Sequence, residues 1–125
     1  MAKVTGLGGV FFKTEDPTAL RDWYVENLGL EKDDEGYVLF WWGDEVRGST
    51  VWGPFDADTT SFEWPADKQW VINYRVDNLE DMLNQLRSNG VDVDDDTFED
   101  MNGKFGHCSN PEGNRVQLWE PNPGM

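Results

Sequence analysis

The end of this chain repeats its middle. Thr50-Val51-Trp52-Gly53-Pro54 reads against Gln117-Leu118-Trp119-Glu120-Pro121. Upstream, an apolar stretch from Val10 to Phe12 leads to Asp16 and a helical pattern ending at Asn27. Its echo is Ile72 to Tyr74, then Asn78 and a helical pattern ending at Asn89. Duplication of a unit spanning roughly half the chain predicts two similar halves. Two such halves set face to face make a cleft, the usual place for small-molecule capture or chemistry.

A chain of 125 residues is one domain by length. Each half alone would be marginal, so the two are expected to share one structure. Hydrophobic content of 38% with seven Trp and seven Phe argues for a packed core over disorder. No apolar run approaches the ~20 residues of a membrane span. Met1-Ala2-Lys3-Val4 carries no apolar signal-peptide core. Cys108 is the single cysteine, so no intrachain disulfide framework exists, and a reducing cytoplasm is the simplest setting.

There are 25 acidic residues against 10 basic, for a net charge of −15. The acids are spread over both halves. A phosphate backbone would be repelled, which argues against nucleic acid as a partner. Two readings of the charge stay open. One is solubility in a salty cytoplasm, where self-repulsion is screened. The other is attraction of a cationic ligand into an acidic groove.

Val4 to Thr14 reads as a strand. Asp16-Pro17 starts a helix, a capping side chain followed by proline at the first helical position. Leu20, Trp23, Tyr24 and Leu28 share one apolar face, and Gly29 is the stop. Short strands are expected near Leu30 to Asp33, Tyr37 to Trp42 and Ser49 to Gly53, with a turn at Gly43-Asp44. Residues 54–69, rich in Asp, Thr and Pro, read as the link between repeats. The second half opens with a strand from Trp70 to Val76. Asn78 caps a helix with Leu79, Met82, Leu83 and Leu86 on its apolar face. Strands follow near Val91 to Val93, Thr97 to Met101, Phe105 to Ser109 and Arg115 to Trp119. Asn110 to Asn114 is the turn between the last two.

That order resembles the vicinal oxygen chelate superfamily, the group of glyoxalase I, bleomycin resistance proteins and extradiol dioxygenases. The matching runs are Leu7-Gly8-Gly9-Val10-Phe11-Phe12, Asp16-Pro17, Trp23-Tyr24, Leu28-Gly29-Leu30 and Tyr74-Arg75-Val76-Asp77-Asn78-Leu79. The most specific is Asn110-Pro111-Glu112-Gly113-Asn114-Arg115-Val116-Gln117-Leu118-Trp119-Glu120-Pro121. The resemblance implies an α+β fold of tandem βαβββ modules, about residues 1–60 and 66–125, forming one curved, open-barrel-like cleft. It also implies a homodimer, with the strand of Val10 and Phe12 as a contributor. Enzymes of this group hold a divalent metal on four inward positions, which fall here on Gly9, Thr50, Val71 and Gln117. One plausible ligand of four does not hold a transition metal, so no metal and no cofactor is expected.

A hairpin turning on Asn110 to Asn114 sets His107 opposite Gln117 and Phe105 opposite Trp119. Alternation then puts these four on one face. The same parity points Phe11 and Lys13 inward beside Gly9, and Asn73 and Arg75 inward beside Val71. The expected ligand-binding set is Phe11, Thr50, Trp52, Asn73, Arg75, Phe105, Gln117 and Trp119. His107 is the candidate catalytic acid or base. A one-residue slip would move every one of these to the other face. Cys108 alternates away from His107, which disfavours a Cys-His pair. Gly6-Leu7-Gly8-Gly9 lacks the spacing of a dinucleotide fingerprint. The acid run from Asp92 to Asp100 has Thr97 and Gly103 where a calcium loop needs Gly and Glu, and reads better as a solvated edge strand.

Three functions follow. The first is metal-independent binding of a small molecule, cationic or aromatic, in an aromatic cleft. The second is a glyoxalase-like lyase or isomerase, or a dioxygenase, with a displaced or absent metal site. The third is a structural dimer with a filled interior.

Overall fold

Alternating apolar side chains from Val4 to Thr14 and from Trp70 to Val76 build the two central strands of a single sheet. The computed structural model describes residues 1–28, 30–43 and 48–125, apart from the side chains of Tyr24, Asn27 and Leu28. The expected helix stop at Gly29 and the Asp44 side of the expected turn lie outside the described residues. The strands are β1 (Val4–Thr14), β2 (Val38–Trp41), β3 (Ser49–Asp56), β4 (Trp70–Val76), β5 (Phe98–Asp100), β6 (Gly103–Ser109) and β7 (Arg115–Pro121). Helix α1 (Pro17–Leu28) follows β1, and α2 (Leu79–Ser88) follows β4. All seven strands join in the order β2-β3-β1-β4-β7-β6-β5, a curled α+β sheet with an open concave face.

The two expected short strands at Leu30 to Asp33 and Val91 to Val93 are not strands. Each is reduced to one bridge, Lys32 to Val38 and Val93 to Cys108. Glu31, Asp33 and Asp34 leave the first segment no second apolar position on alternate sites. In the second, Val91 and Val93 both pack against the core under α2, but Asp94 to Asp96 follow at once and the pairing goes no further. β3 runs on past Gly53 to Asp56, because β1 offers it a parallel partner as far as Thr14.

β1 pairs with β3 in parallel, Gly9 beside Val51 and Phe11 beside Gly53. β4 pairs with β7 in parallel, Asn73 beside Gln117 and Arg75 beside Trp119. β1 and β4 are antiparallel, with Gly9 opposite Asn73 and irregularities near Gly6 and Gly8. Partners in register share a face. The concave face therefore carries Gly9, Phe11, Lys13, Val51, Phe55, Val71, Asn73, Arg75, Gln117 and Trp119.

On the convex face, Leu79, Met82 and Leu83 of α2 bury against Cys108, Leu118 and Val76. Asn78 caps this helix, accepting the Asp81 N–H at 2.9 Å. Burial pushes the Cys108 thiol pKa up. The expected apolar face of α1 is weaker: Trp23 is 52% exposed, because it sits at the border of the stripe that starts at Leu20. Among the described residues no helix is long and apolar enough to cross a membrane.

Candidate functional site

The concave face holds a cleft of about 530 Å3. Phe11, Val51 and Phe55 form one side of its floor, and Asn73, Gln117 and Trp119 the other. β5 and β6 supply one wall. Phe98 stacks on Phe105 at 4.7 Å and 9°, and Phe105 on Trp119 at 6.0 Å and 5°. Leu39 and Trp41 of β2 stand on the opposite side with Tyr37. A planar guest would meet aromatic faces on the floor and on one wall.

A chain of amides crosses the floor. Asn73 Nδ2 donates to Gln117 Oε1 at 2.6 Å, and Gln117 Nε2 lies 3.0 Å from His107 Nε2. The hairpin register that sets His107 opposite Gln117 and Phe105 opposite Trp119 is the expected one. Gly8 makes room for the chain, since a Cβ there would fall 1.7 Å from Asn73 Oδ1. That oxygen is buried and has no hydrogen-bond partner among the described residues.

His107 does not open onto the cleft. Phe62 lies over its ring at 4.7 Å and 16°. Desolvation, reinforced by Arg115, lowers the His107 pKa to about 4, so the ring is neutral at pH 7.

Two expected site residues point the other way. Thr50 and Trp52 lie on the convex face, because β3 pairs Val51, not Thr50, with Gly9. The sequence echo aligns Thr50 with Gln117, whereas the strand pairing aligns Val51 with Gln117. That one-residue slip exchanges faces. Thr50 donates its hydroxyl to Leu7 O at 3.1 Å, and Trp52 packs edge-on against Phe12 at 5.3 Å. Val71 is likewise not the partner of Gln117; Asn73 is. Lys13 and Arg75 do not converge. Lys13 donates to Pro65 O at 2.7 Å, while Arg75 lies between the rings of Trp42 and Trp119.

Other site features were not foreseen. Asp33, Asp34 and Glu35 reach the cleft from one side and Asp100 from the other. The first three belong to a turn in which Asp33 accepts the N–H groups of Glu35 and Tyr37 at 2.9 Å, with Gly36 at φ +88. Phe62, in the segment read as a link, lines the cleft with φ 60, a conformation that costs about 1 kcal/mol or more outside glycine. Arg115 holds it there, donating to Phe62 O at 2.8 Å while pairing with Asp94. The aromatics Phe55, Phe62 and Trp64 within that connection were the available signal.

The fold family's metal requires a donor set that these residues do not supply. The paired positions are Gly9 with Val51 and Asn73 with Gln117. Two of the four offer no donor atom; of the two amides, Gln117 Oε1 is taken up by Asn73 Nδ2, which leaves Asn73 Oδ1 as a lone neutral oxygen. His107 Nε2 is taken up by Gln117. Transition metals call for several imidazole, thiolate or carboxylate ligands.

This combination defines a class: an α+β protein with one curled sheet and an aromatic cleft on its concave face. More specifically, the chain has the vicinal oxygen chelate fold. A methylmalonyl-CoA epimerase in complex with methylmalonyl-CoA and NH4+ superposes with a TM-score of 0.75 at 14% identity, covering 98% of this chain and 99% of the other. The methylmalonyl-CoA epimerase from Mycobacterium tuberculosis gives 0.64 at 21%, covering 96% and 90%. A glyoxalase/bleomycin resistance protein/dioxygenase superfamily member from Vibrio splendidus gives 0.58 at 15%, covering 96% and 99%. No protein-family model matches the chain, and no curated protein sequence does.

Proposed function

We propose that this chain is a metal-independent small-molecule binding protein whose cleft captures a planar, cationic ligand. One observation carries the reading: a cleft with aromatic floor and wall bears four carboxylates at its margins, Asp33, Asp34, Glu35 and Asp100. Stacking supplies contact, and ring faces attract a cation. The carboxylates and the net charge of −15 draw it in from a distance. A lyase, isomerase or dioxygenase reading would need His107 at the substrate; its place beneath Phe62 favours capture. A cytoplasmic setting belongs to the same proposal, since the one cysteine is a buried thiol.

The test is a melting series with N-methylquinolinium against 2-naphthoate and 2-naphthalenemethanol. The cation should raise the melting temperature by several degrees at ~100 times its dissociation constant, and less at 1 M salt. If no planar aromatic cation shifts the transition, the reading fails.

A further inference from the structure

Gly8 is the extra residue of a bulge. β1 and β4 pair Leu7 with Tyr74 and Gly9 with Asn73, so two steps on β1 match one on β4. A bulge re-aims the side chains around it and is common beside functional sites. A Cβ on Gly8 would fall 1.7 Å from Asn73 Oδ1 and 3.2 Å from Trp119 Cε3. Asn73 and Trp119 both line the cleft. The bulge therefore leaves the Asn73 oxygen on the cleft side of the sheet, beside the indole ring. Asn73 is 1% exposed, and this oxygen has no hydrogen-bond partner among the described residues. Buried acceptors are paired in nearly all folded proteins, so an unpaired one on a cleft floor calls for a donor from outside the chain.

The sense of the amide chain makes this end an acceptor. Asn73 Nδ2 is spent on Gln117 Oε1 at 2.6 Å. Gln117 therefore turns its Nε2 towards His107 Nε2, 3.0 Å away. A donor on that side requires His107 Nε2 to accept, with the ring proton on Nδ1. Burial, with the charge of Arg115, keeps the ring neutral. Phe62 and Phe98 lie nearly parallel to it, at 4.7 Å and 5.9 Å, and hold its plane. His107 thus closes the chain as an acceptor, and the group left over at the other end is the Asn73 oxygen. A reversed chain would need a proton on His107 Nε2 and would present the Asn73 N–H groups instead.

We propose that Asn73 is the polar anchor of the cleft, that His107 fixes its sense through Gln117, and that the ligand carries an N–H donor on the edge of its planar ring. The ring lies against Trp119, and its N–H reaches Asn73 Oδ1. The ligand class narrows to amino-substituted aromatic cations. The cationic half rests on the function proposed above; the donor requirement rests on the cleft floor alone. His107 does not touch the ligand and is a positioning residue.

Titration calorimetry on the full chain compares 4-amino-1-methylquinolinium with 1,4-dimethylquinolinium, equal in charge and close in shape. The amino probe should bind the parent about tenfold more tightly, because the methyl probe leaves the oxygen unpaired. Asn73→Leu should erase that preference. Should this variant fail to fold, Asn73→Asp keeps an acceptor in the same shape and should preserve it. A preference that survives Asn73→Leu, or that Asn73→Asp abolishes, would overturn the anchor. His107→Leu lets the Gln117 amide turn over, and should shrink the preference while the methyl probe binds as before. An unchanged preference in that variant would overturn the part given to His107. 1-Naphthylamine and 1-methylnaphthalene carry the same contrast without charge. A preference within this pair, with neither cation bound, would overturn the cationic reading and keep the anchor. Equal binding within both pairs would overturn the anchor and keep capture. Binding of none of the four would overturn both.

Discussion

The two halves bury their apolar surface on opposite sides of one sheet. In the second half, Leu79, Met82 and Leu83 of α2 cover Cys108 and Leu118 on the convex face. Around the first strand the buried cluster is Phe11, Trp64 and Val71, packed with Val51, Phe55 and Phe62 on the concave side. The helix ends do not explain the difference. Asp16 accepts the Ala19 N–H at 3.0 Å, much as Asn78 serves α2. The faces of the helices do, since α1 leaves Trp23 half exposed where α2 buries its stripe. A half whose core is complete under its helix is free to line the cleft with Asn73, Gln117 and Trp119. The other half contributes to the cleft the apolar surface that its helix does not cover.

Core truncation tests this most severely. Leu83→Ala should cost about 2–5 kcal/mol in urea unfolding, while Leu20→Ala on α1 should cost less than about 1 kcal/mol. Equal losses would erase the contrast between the halves.

Acid sharpens it next. The folded pKa of His107, about 4, lies below its usual 6.5, so the neutral ring favours the folded state. Its contribution is complete above pH 6.5 and is lost as pH falls through about 4, a span of about 3 kcal/mol. His107→Gln should lack this part of the slope when stability is measured at pH 7, 5.5 and 4. An unchanged slope would mean that the ring is not the titrating group.

The smallest effect separates the echoing tryptophans. Trp119→Leu should weaken binding of the quinolinium probe about tenfold, by loss of stacking surface and of its ring face. Trp52→Leu, on the convex face, should leave the affinity within about twofold. A matching loss at Trp52 would return it to the cleft.

The order of strands and helices was legible because its signals are local. Asp16-Pro17, Asn78 and the turn at Asn110 to Asn114 each act within a few residues. The second-half site was legible for a related reason, since a tight hairpin fixes His107 opposite Gln117. Thr50 and Trp52 were misplaced because no hairpin joins β1 to β3. Their parallel register is set by long-range packing, and the Trp-x-Pro echo is offset from it by one residue. The acidic margin and Phe62 lie in loops, whose placement depends on tertiary partners such as Arg115. The seat of Arg75 between Trp42 and Trp119 brings together three residues distant in the chain with no shared pattern.

The buried thiol of Cys108 gives the second half a clock. At 5% exposure, between Leu118 and the underside of α2, it can meet a labelling reagent only when that helix lifts from the sheet. With one cysteine in the chain, every modification event reports the same opening. Its rate with excess reagent therefore times the departure of α2, and a cleft ligand that slows it would link the concave face to a helix it never touches.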